Sequence, residues 1–179
     1  ELWEQMARHF GLKEIVSRDP VDLLGARRQE LKIGIVPGSS NSPSKRWAPE
    51  NWVFLIKQLS TIDEGLDFHL YGTNQDKVIA DEVSSSFDSA NVHDHAGKTD
   101  LSELAEELIS CRLVIGNDTG AMHLANMLGT PVVVLFGPTN SSRTKPFFNS
   151  NKVLIESPKS YDINSLEPEL VCQNVISML

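Results

Sequence analysis

Short apolar runs typical of buried β-strands alternate along this chain with amphipathic segments of about ten residues. The apolar runs cover residues 31–36, 67–71, 112–116 and 131–136, with weaker ones near 91–93 and at 152–156. The helical segments cover residues 53–59, 77–87, 101–109 and 119–128, with a last one that starts near Pro168. Strands and helices that alternate in this way build βαβ units, whose strands are parallel. The sequence therefore predicts an α/β fold with a doubly wound, mainly parallel sheet.

Local signals mark the ends of two of these helices. Asp100 and Glu103 have the spacing of a capping box ahead of helix 101–109, whose apolar residues recur at helical spacing from Leu101 onwards. Gly129 follows the next predicted helix, and glycine is common just beyond a helix end. Both helices are therefore expected to pack on the sheet through an apolar face.

The first thirty residues lack the alternation of the rest of the chain. Residues 1–10 place their apolar side chains on one helical face, and residues 11–30 are polar and irregular. We interpret residues 1–30 as a helix followed by a linker, and residues 31–179 as one α/β domain, a size at which a full hydrophobic core can form.

Composition excludes several classes of protein. The formal net charge of −8 argues against a nucleic-acid-binding protein, whose phosphate contacts need a basic surface. Two cysteines are too few for a disulfide scaffold or a cysteine-based zinc site. The sequence has no apolar run long enough to span a membrane, and its first ten residues carry acids where a signal peptide would be basic. We therefore expect a reduced, cytoplasmic protein.

The segment between the fourth predicted strand and the next helix carries the strongest sign of phosphate binding. Asp118 or Thr119 can cap this helix. The free backbone N–H groups of Thr119, Gly120 and Ala121 attract an anion, which can approach Gly120 closely because this residue has no Cβ. His123 lies on the same helix face, and its side chain leans back towards the helix start. The combination indicates an anion site, whereas Asp118 alone could be a simple cap and His123 a surface histidine.

A second polar loop follows the first predicted strand, over residues 37–47. Ser39 and Ser40 offer hydroxyl and backbone donors, and Lys45 offers a mobile positive charge suited to a diphosphate. The GxxxxGK[ST] spacing of a P-loop is absent, and so is GxGxxG, which argues against NAD and FAD. Taken alone, the loop is more simply a flexible serine segment with a solvated Lys45–Arg46 pair.

Two further groups of polar residues follow the second predicted strand and surround the third. Asn74 or Asp76 could bind ribose hydroxyls, as acidic groups do at this place in nucleotide-binding folds, or could form a turn and a helix cap. His93 and His95 would share a strand face and resemble a metal-binding pair. Because the sequence shows no third ligand beside them, no metal site is predicted.

Five motifs taken together resemble those of one family, the ADP-heptose:lipopolysaccharide heptosyltransferases of glycosyltransferase family nine. The motifs are PGSSxxxxKRW, YGTxxD, AGKTDLSELA, GNDTGAMHLA and PVVVLFGPT. The resemblance runs from about residue 31 to the C-terminus. It implies a GT-B architecture, in which two Rossmann-like domains face each other across a cleft, and this chain is similar to the second domain, which binds the donor. Residues 1–30 resemble the segment that leads out of the first domain.

The resemblance also implies a donor-binding site for ADP-heptose or a similar nucleotide sugar. The residues it assigns to that site are Ser39, Ser40, Lys45, Asn74, Asp76, Thr99, Asp118, Thr119, Gly120 and His123. Lys45 and the backbone of Thr119 and Gly120 would meet the diphosphate, with His123 supporting the phosphate end. Asp118 would lie near the sugar.

The same resemblance places the adenine beside the loop 97–99 and the ribose beside Asn74 or Asp76. It implies an inverting transfer without metal or other cofactor, in which Lys45 stabilises the charge growing on the leaving ADP. The general base and the site for a glycolipid acceptor would belong to the first domain. We therefore expect the 179 residues to bind the donor but to transfer no sugar by themselves.

Three functions are weighed on these grounds. The first is a heptosyltransferase donor domain that acts in lipopolysaccharide-core synthesis, with peripheral association at the inner face of the inner membrane. The second is a non-catalytic α/β module that binds a nucleotide or anion, and the third is a GT-B-shaped epimerase acting on a UDP-sugar. We favour the first because Lys45 and the helix start at Gly120 supply phosphate donors from two different strand ends, whereas acid and base carboxylates suited to an epimerase are not evident.

Overall fold

The computed structural model describes residues 19–20, 28–39, 42–88 and 91–179. Its strands are β1 (Gln29–Val36), β2 (Asp67–Leu70), β3 (Val92–Asp94), β4 (Cys111–Asn117), β5 (Val132–Phe136) and β6 (Lys152–Glu156). Its α-helices are α1 (Pro49–Ile62), α2 (Lys77–Ser84), α3 (Leu101–Ser110), α4 (Gly120–Met127), α5 (Ser141–Thr144) and α6 (Pro168–Ile176). Short 3₁₀ helices cover Pro43–Lys45, Asn74–Asp76 and Ile163–Ser165. The predicted alternation of strands and helices is confirmed.

The strands of the described chain form one sheet in the order β3-β2-β1-β4-β5-β6, and each neighbouring pair is parallel. This is the order of a Rossmann-like sheet, in which the chain reverses its direction of winding between β1 and β4. The prediction of a doubly wound, mainly parallel sheet is therefore confirmed.

The two faces of the sheet bury different helices. On one face Ile33 and Val133 pack with α1, α2 and α6 in the larger apolar core. On the other face Val114 and Val134 pack with α3 and α4. Alternate residues of β5 therefore enter opposite cores, and all five residues of this strand are buried. A strand covered on both faces must be apolar throughout, as its sequence VVVLF is.

The predicted helix-end signals are present. Asp100 Oδ1 accepts the N–H of Glu103 at 2.9 Å, and Glu103 Oε2 accepts the N–H of Asp100 at 2.8 Å, which completes the capping box of α3. Gly129 has a φ of 81°, which suits glycine after a helix. Pro168 is the first residue of α6, a position at which the missing N–H costs nothing.

Several boundaries differ from those predicted. Strand β1 already includes Gln29 and Glu30, which were assigned to the linker, because they continue its extended backbone. Helix α1 starts earlier than predicted, at Pro49, and the short helix α5 was not predicted. Leu101, expected on the buried face of α3, is 74% exposed, whereas Leu108 is fully buried. The helix proposed over residues 1–10, and the linker apart from its few described residues, lie outside the described chain. Among the described residues, no helix has the length and apolar character that a membrane span requires.

Candidate functional site

A cleft of about 900 Å³ opens at the carboxyl ends of the strands. Its walls are the loops that follow β1, β2, β3 and β4, together with Thr144 from α5. The cleft therefore lies across the point between β1 and β4 where the winding of the sheet reverses, which is where ligands bind in sheets of this kind. Its volume suits a ligand of nucleotide size.

A buried asparagine fixes the loop after β1. Asn117 is fully buried at the end of β4, and its amide nitrogen donates to the carbonyl of Pro37 at 2.8 Å. Its side-chain oxygen accepts the N–H of Trp47 at 3.4 Å, and the Trp47 indole donates to the carbonyl of Leu166 at 3.2 Å. One side chain thus holds both ends of the loop that carries Lys45. The sequence analysis gave Asn117 no role, although a lone amide at the end of an apolar strand is a sign of such a bond.

Asp118 brings together residues from three separate segments of the chain. Lys45 Nζ and the Thr144 hydroxyl each lie 3.2 Å from its Oδ2, and His123 Nε2 lies 3.9 Å from its Oδ1. The Asp118 side chain is only 6% exposed, so the pair with Lys45 is shielded from solvent on the side of the carboxylate. The sequence analysis chose Lys45, Asp118 and His123, and the structure places all three in the cleft. It missed Thr144, because no pattern predicted α5.

The start of α4 forms one wall of the cleft. Thr119 occupies the N-cap position, and no side-chain cap bond is made there by the described residues. The Thr119 hydroxyl is buried and has no hydrogen-bond partner in the described chain. A Cβ built on Gly120 would have no described atom within 4 Å, so the space in front of this residue is open. The helix start therefore offers polar donors, and the positive end of a helix dipole, to a ligand in the cleft.

The two residues considered for ribose binding have different surroundings. Asp76 is buried, and its Oδ2 accepts the N–H of Thr73 at 2.9 Å and the Thr73 hydroxyl at 2.7 Å. A Cβ built on Gly38 would lie 2.2 Å from the Asp76 carboxyl carbon, so the two loops pack closely through this residue. Asp76 and Asn74 both line the cleft, but Asn74 is exposed. Asp76 thus serves the local structure of its turn, and Asn74 is the residue with a side chain accessible from the cleft.

Of the three remaining predicted site residues, Ser39 and Thr99 line the cleft. Ser39 is buried and lines it, and Ser40 lies outside the described residues. Thr99 lines the cleft beside Leu101 and Leu104, which give this wall an apolar character. The exposure of Leu101 has its explanation here, because this residue faces the cleft and not the core.

Two groups that line the cleft have a pKa that departs from its ordinary value. Burial raises the pKa of the Tyr71 hydroxyl, whereas the pKa of the His123 imidazole is lowered. Burial lowers the pKa of this imidazole, the Asp118 carboxylate opposes the shift, and the Lys45 ammonium adds to it. The net lowering keeps His123 neutral at pH 7. A neutral imidazole can give a bound anion one hydrogen bond but no charge.

His93 in β3 and His95, which follows that strand directly, do not line this cleft. His93 Nε2 is 2.7 Å from Asp67 Oδ1, and His69 Nε2 is 3.1 Å from the other oxygen of the same carboxylate. His95 Nε2 is 2.9 Å from His69 Nδ1. The sequence analysis noted the pair at 93 and 95 but missed Asp67 and His69. These two alternate along β2, and only the pairing of β2 with β3 brings them beside His93.

Comparison with known proteins identifies the relatives of this chain. The family model for glycosyltransferase family 9 (heptosyltransferase) matches residues 5–170. Lipopolysaccharide heptosyltransferase 2 of Escherichia coli is 33% identical over 156 residues, which cover 86% of this chain and 43% of the relative. The enzyme of the same name from Salmonella typhimurium is 30% identical over 156 residues, which again cover 86% of this chain and 43% of the relative.

A solved structure agrees with these sequence matches. The ADP-heptose lipopolysaccharide heptosyltransferase II of Escherichia coli superposes with a TM-score of 0.73 at 26% identity, covering 98% of this chain and 50% of that one. The chain thus spans about half the length of the relatives it matches. Because the family model covers most of the chain, this protein belongs to glycosyltransferase family 9, the heptosyltransferase family.

Proposed function

We propose that this protein forms the donor-binding part of a heptosyltransferase, which transfers heptose from ADP-heptose to an acceptor in the lipopolysaccharide core. The observation that carries the proposal is the position of Lys45 in the same cleft as the open start of helix α4 at Gly120. A cation and a helix N-terminus at the switch point of a Rossmann-like sheet suit a diphosphate.

On this proposal the diphosphate lies between Lys45 and the first turn of α4. The open space in front of Gly120 admits a phosphate to the backbone N–H groups, and the unpartnered hydroxyl of Thr119 supplies a further donor within the described chain. His123 donates one hydrogen bond from the same wall. Asp118, which lies 3.2 Å from Lys45, orients the ammonium and faces the sugar end of the donor.

The nucleoside occupies the other end of the cleft. Asn74 is the residue that binds the ribose, because it is exposed, whereas Asp76 is buried and its Oδ2 already accepts two hydrogen bonds from Thr73. The adenine lies on the apolar wall made by Leu101 and Leu104, next to Thr99. Burying the exposed Leu101 under a base gives a favourable hydrophobic contribution that the free protein lacks.

The proposed reaction is an inverting transfer that uses no metal at this cleft. As the bond between the sugar and ADP breaks, negative charge grows on the leaving phosphate, where Lys45 and the dipole of α4 stabilise it. We assign the acceptor site and the general base to a part of the protein outside these 179 residues, because the relatives are about twice as long. The protein would work in the cytoplasm, with its glycolipid acceptor at the inner face of the inner membrane.

Calorimetry on the purified protein tests the donor assignment. ADP is expected to bind in the presence of EDTA, and more tightly than UDP. Binding should be weak, because half of the proposed cleft is supplied from outside this chain and association still costs translational freedom. Tighter binding of UDP would contradict the choice of nucleotide, and binding of ADP only with a divalent ion would contradict the metal-free mechanism.

A further inference from the structure

A second polar cluster lies on strands β2 and β3, and its members do not line the cleft as far as the chain is described. Asp67 and His69 are two residues apart on β2, so their side chains leave the same face of the sheet. His93 is the register partner of His69 on the neighbouring parallel strand. Backbone hydrogen bonds of a sheet therefore hold all three side chains beside one another.

We propose that Asp67, His69 and His93 bind one divalent transition-metal ion, with Zn²⁺ the best suited. Imidazole and carboxylate are ligands that this ion prefers, and two imidazoles with one carboxylate form a known type of open zinc site. The ligand atoms of the three residues all lie within 4.8 Å of one another. This proposal goes beyond the donor site and does not depend on it.

The distance from each imidazole to the carboxylate is close to the separation that two ligands of one ion require. The two imidazole Nε2 atoms lie 3.1 Å and 2.7 Å from the oxygens of the Asp67 carboxylate. Tetrahedral ligands bound at about 2.0–2.2 Å from Zn²⁺ are separated by roughly 3.3–3.5 Å. Small outward movements of His93 and Asp67, which are partly exposed, would make room for the ion.

An outer partner holds the His69 ring in the orientation that binding needs. His69 Nδ1 lies 2.9 Å from His95 Nε2, and the two rings stack with centroids 5.1 Å apart. His95 stacks in turn on Tyr71, whose hydroxyl donates to Glu107 at 2.7 Å. When the far nitrogen of a metal-bound histidine is engaged in this way, the near nitrogen is aimed at the metal.

The electrostatics of the cluster also favour a cation. The Asp67 carboxylate faces two imidazoles, which carry no charge unless protonated. Lys32 lies on the adjacent strand, but its ammonium is 2.6 Å from Glu107 and 2.8 Å from the Ser110 hydroxyl. The ammonium of Lys32 on β1 is therefore paired with Glu107 and does not neutralise Asp67. The negative charge of Asp67 can then interact with a bound ion.

The exposure of the cluster leaves a path for the ion and for water. The side chains of Asp67, His69 and His93 are 38%, 14% and 40% exposed. Water could therefore complete the coordination, as it does in zinc sites with three protein ligands. Because β3 has only three residues, an ion bound to both strands would also anchor this strand at the edge of the sheet.

Titration of the EDTA-treated protein with Zn²⁺, followed by calorimetry, tests the site. One equivalent is expected to bind. His93→Gln and Asp67→Asn should each weaken binding by more than about a hundredfold, since loss of an outer partner alone costs about 10- to 100-fold. His95→Phe removes that outer partner and should weaken Zn²⁺ binding by about 10- to 100-fold. The matched control is His123→Gln, which removes a histidine beside the other carboxylate and should leave Zn²⁺ binding unchanged.

Absorption spectra with Co²⁺ give a second measurement that needs no variant. A spectrum of nitrogen and oxygen ligands without thiolate bands supports the site, whereas thiolate bands would assign the metal to Cys111 or Cys172 and overturn it. Absence of Zn²⁺ binding, or equal binding by His93→Gln and the unsubstituted protein, would also overturn it. Melting temperatures in EDTA check that each variant is folded. If Asp67→Asn is unfolded, the comparison rests on His93→Gln, because His93 lies at the exposed edge of the sheet.

Discussion

Two carboxylates organise the polar chemistry of this protein, and their surroundings are opposite in character. Asp118 lies at the carboxyl end of the sheet, 3.2 Å from the ammonium of Lys45 and next to the start of a helix. Asp67 lies at the first residue of β2, where its partners are the imidazoles of His69 and His93. Each has histidine nitrogen within 4.0 Å, yet only Asp118 has a lysine there among the described residues.

The difference determines which charge each region can still accept. At Asp118 the acid is balanced by Lys45, and the dipole of α4 adds positive potential, so a further negative group is favoured. At Asp67 the acid has only imidazole partners in the described chain, so a further positive group is favoured. Similar residue types therefore form an anion site in one place and a cation site in the other. Three substitutions in the cleft test whether the region around Asp118 binds an anion.

The largest effect is expected from Lys45→Ala. Loss of a charge-assisted contact with the diphosphate should cost about 1.5–3 kcal/mol, or roughly ten- to a hundredfold in ADP affinity. Adenosine affinity should stay unchanged, because the nucleoside end lies elsewhere in the cleft. Lys45→Arg should restore only part of the loss. Calorimetry with both ligands measures this, with Lys159→Ala as a control that removes one exposed positive charge outside the cleft.

An ADP affinity of Lys45→Ala within twofold of the unsubstituted protein would contradict the phosphate assignment, provided that the variant is folded. The loop after β1 would then have only a structural role, and the region around Asp118 would not be an anion site.

The next effect is expected from Gly120→Val, which should weaken ADP binding by at least about tenfold by filling the space reserved for phosphate. Since a Cβ at Gly120 meets no described atom, the melting temperature should change little. Gly38→Ala is the matched contrast, because its Cβ would come within 2.5 Å of Asp76 and should lower the melting temperature. Unchanged ADP affinity in folded Gly120→Val would show that the phosphate lies elsewhere.

The smallest effect is expected from His123→Ala. One neutral hydrogen bond contributes about 0.5–1.5 kcal/mol, so ADP affinity should fall by roughly two- to tenfold at pH 7.5. Because burial lowers the pKa of His123, the imidazole stays neutral from pH 7 upwards. In that range the ratio of the ADP affinity of the unsubstituted protein to that of His123→Ala should be constant. A bound diphosphate favours the protonated ring and raises this pKa, so the ratio should increase as the pH falls below 6.5. A ratio that does not change with acidification would show that His123 does not face the anion.

The limits of the sequence analysis are clearest at particular residues. The capping box of Asp100 and Glu103 was predicted because its partners are three residues apart, and the positions of Lys45 and Gly120 in the cleft follow from where each strand ends. The periodicity of α3 identified its apolar residues but not their surroundings, so Leu101 was assigned to the core although it faces the cleft. Asp76 was considered either as a ribose ligand or as part of a turn and a helix cap, and the structure shows a capping box in which it bonds to Thr73.

The amino-acid sequence by itself determined the α/β class, the parallel sheet and the edge of the sheet at which polar loops gather. Hydrophobic periodicity, caps and turns act over a few residues, so these features are readable locally. Only the tertiary structure decided which distant side chains meet, such as Asp118 with Thr144 and Asp67 with His93. Such contacts depend on the order of the strands and on their register, which no short segment specifies, and a shift of one residue would turn His93 to the opposite face of the sheet.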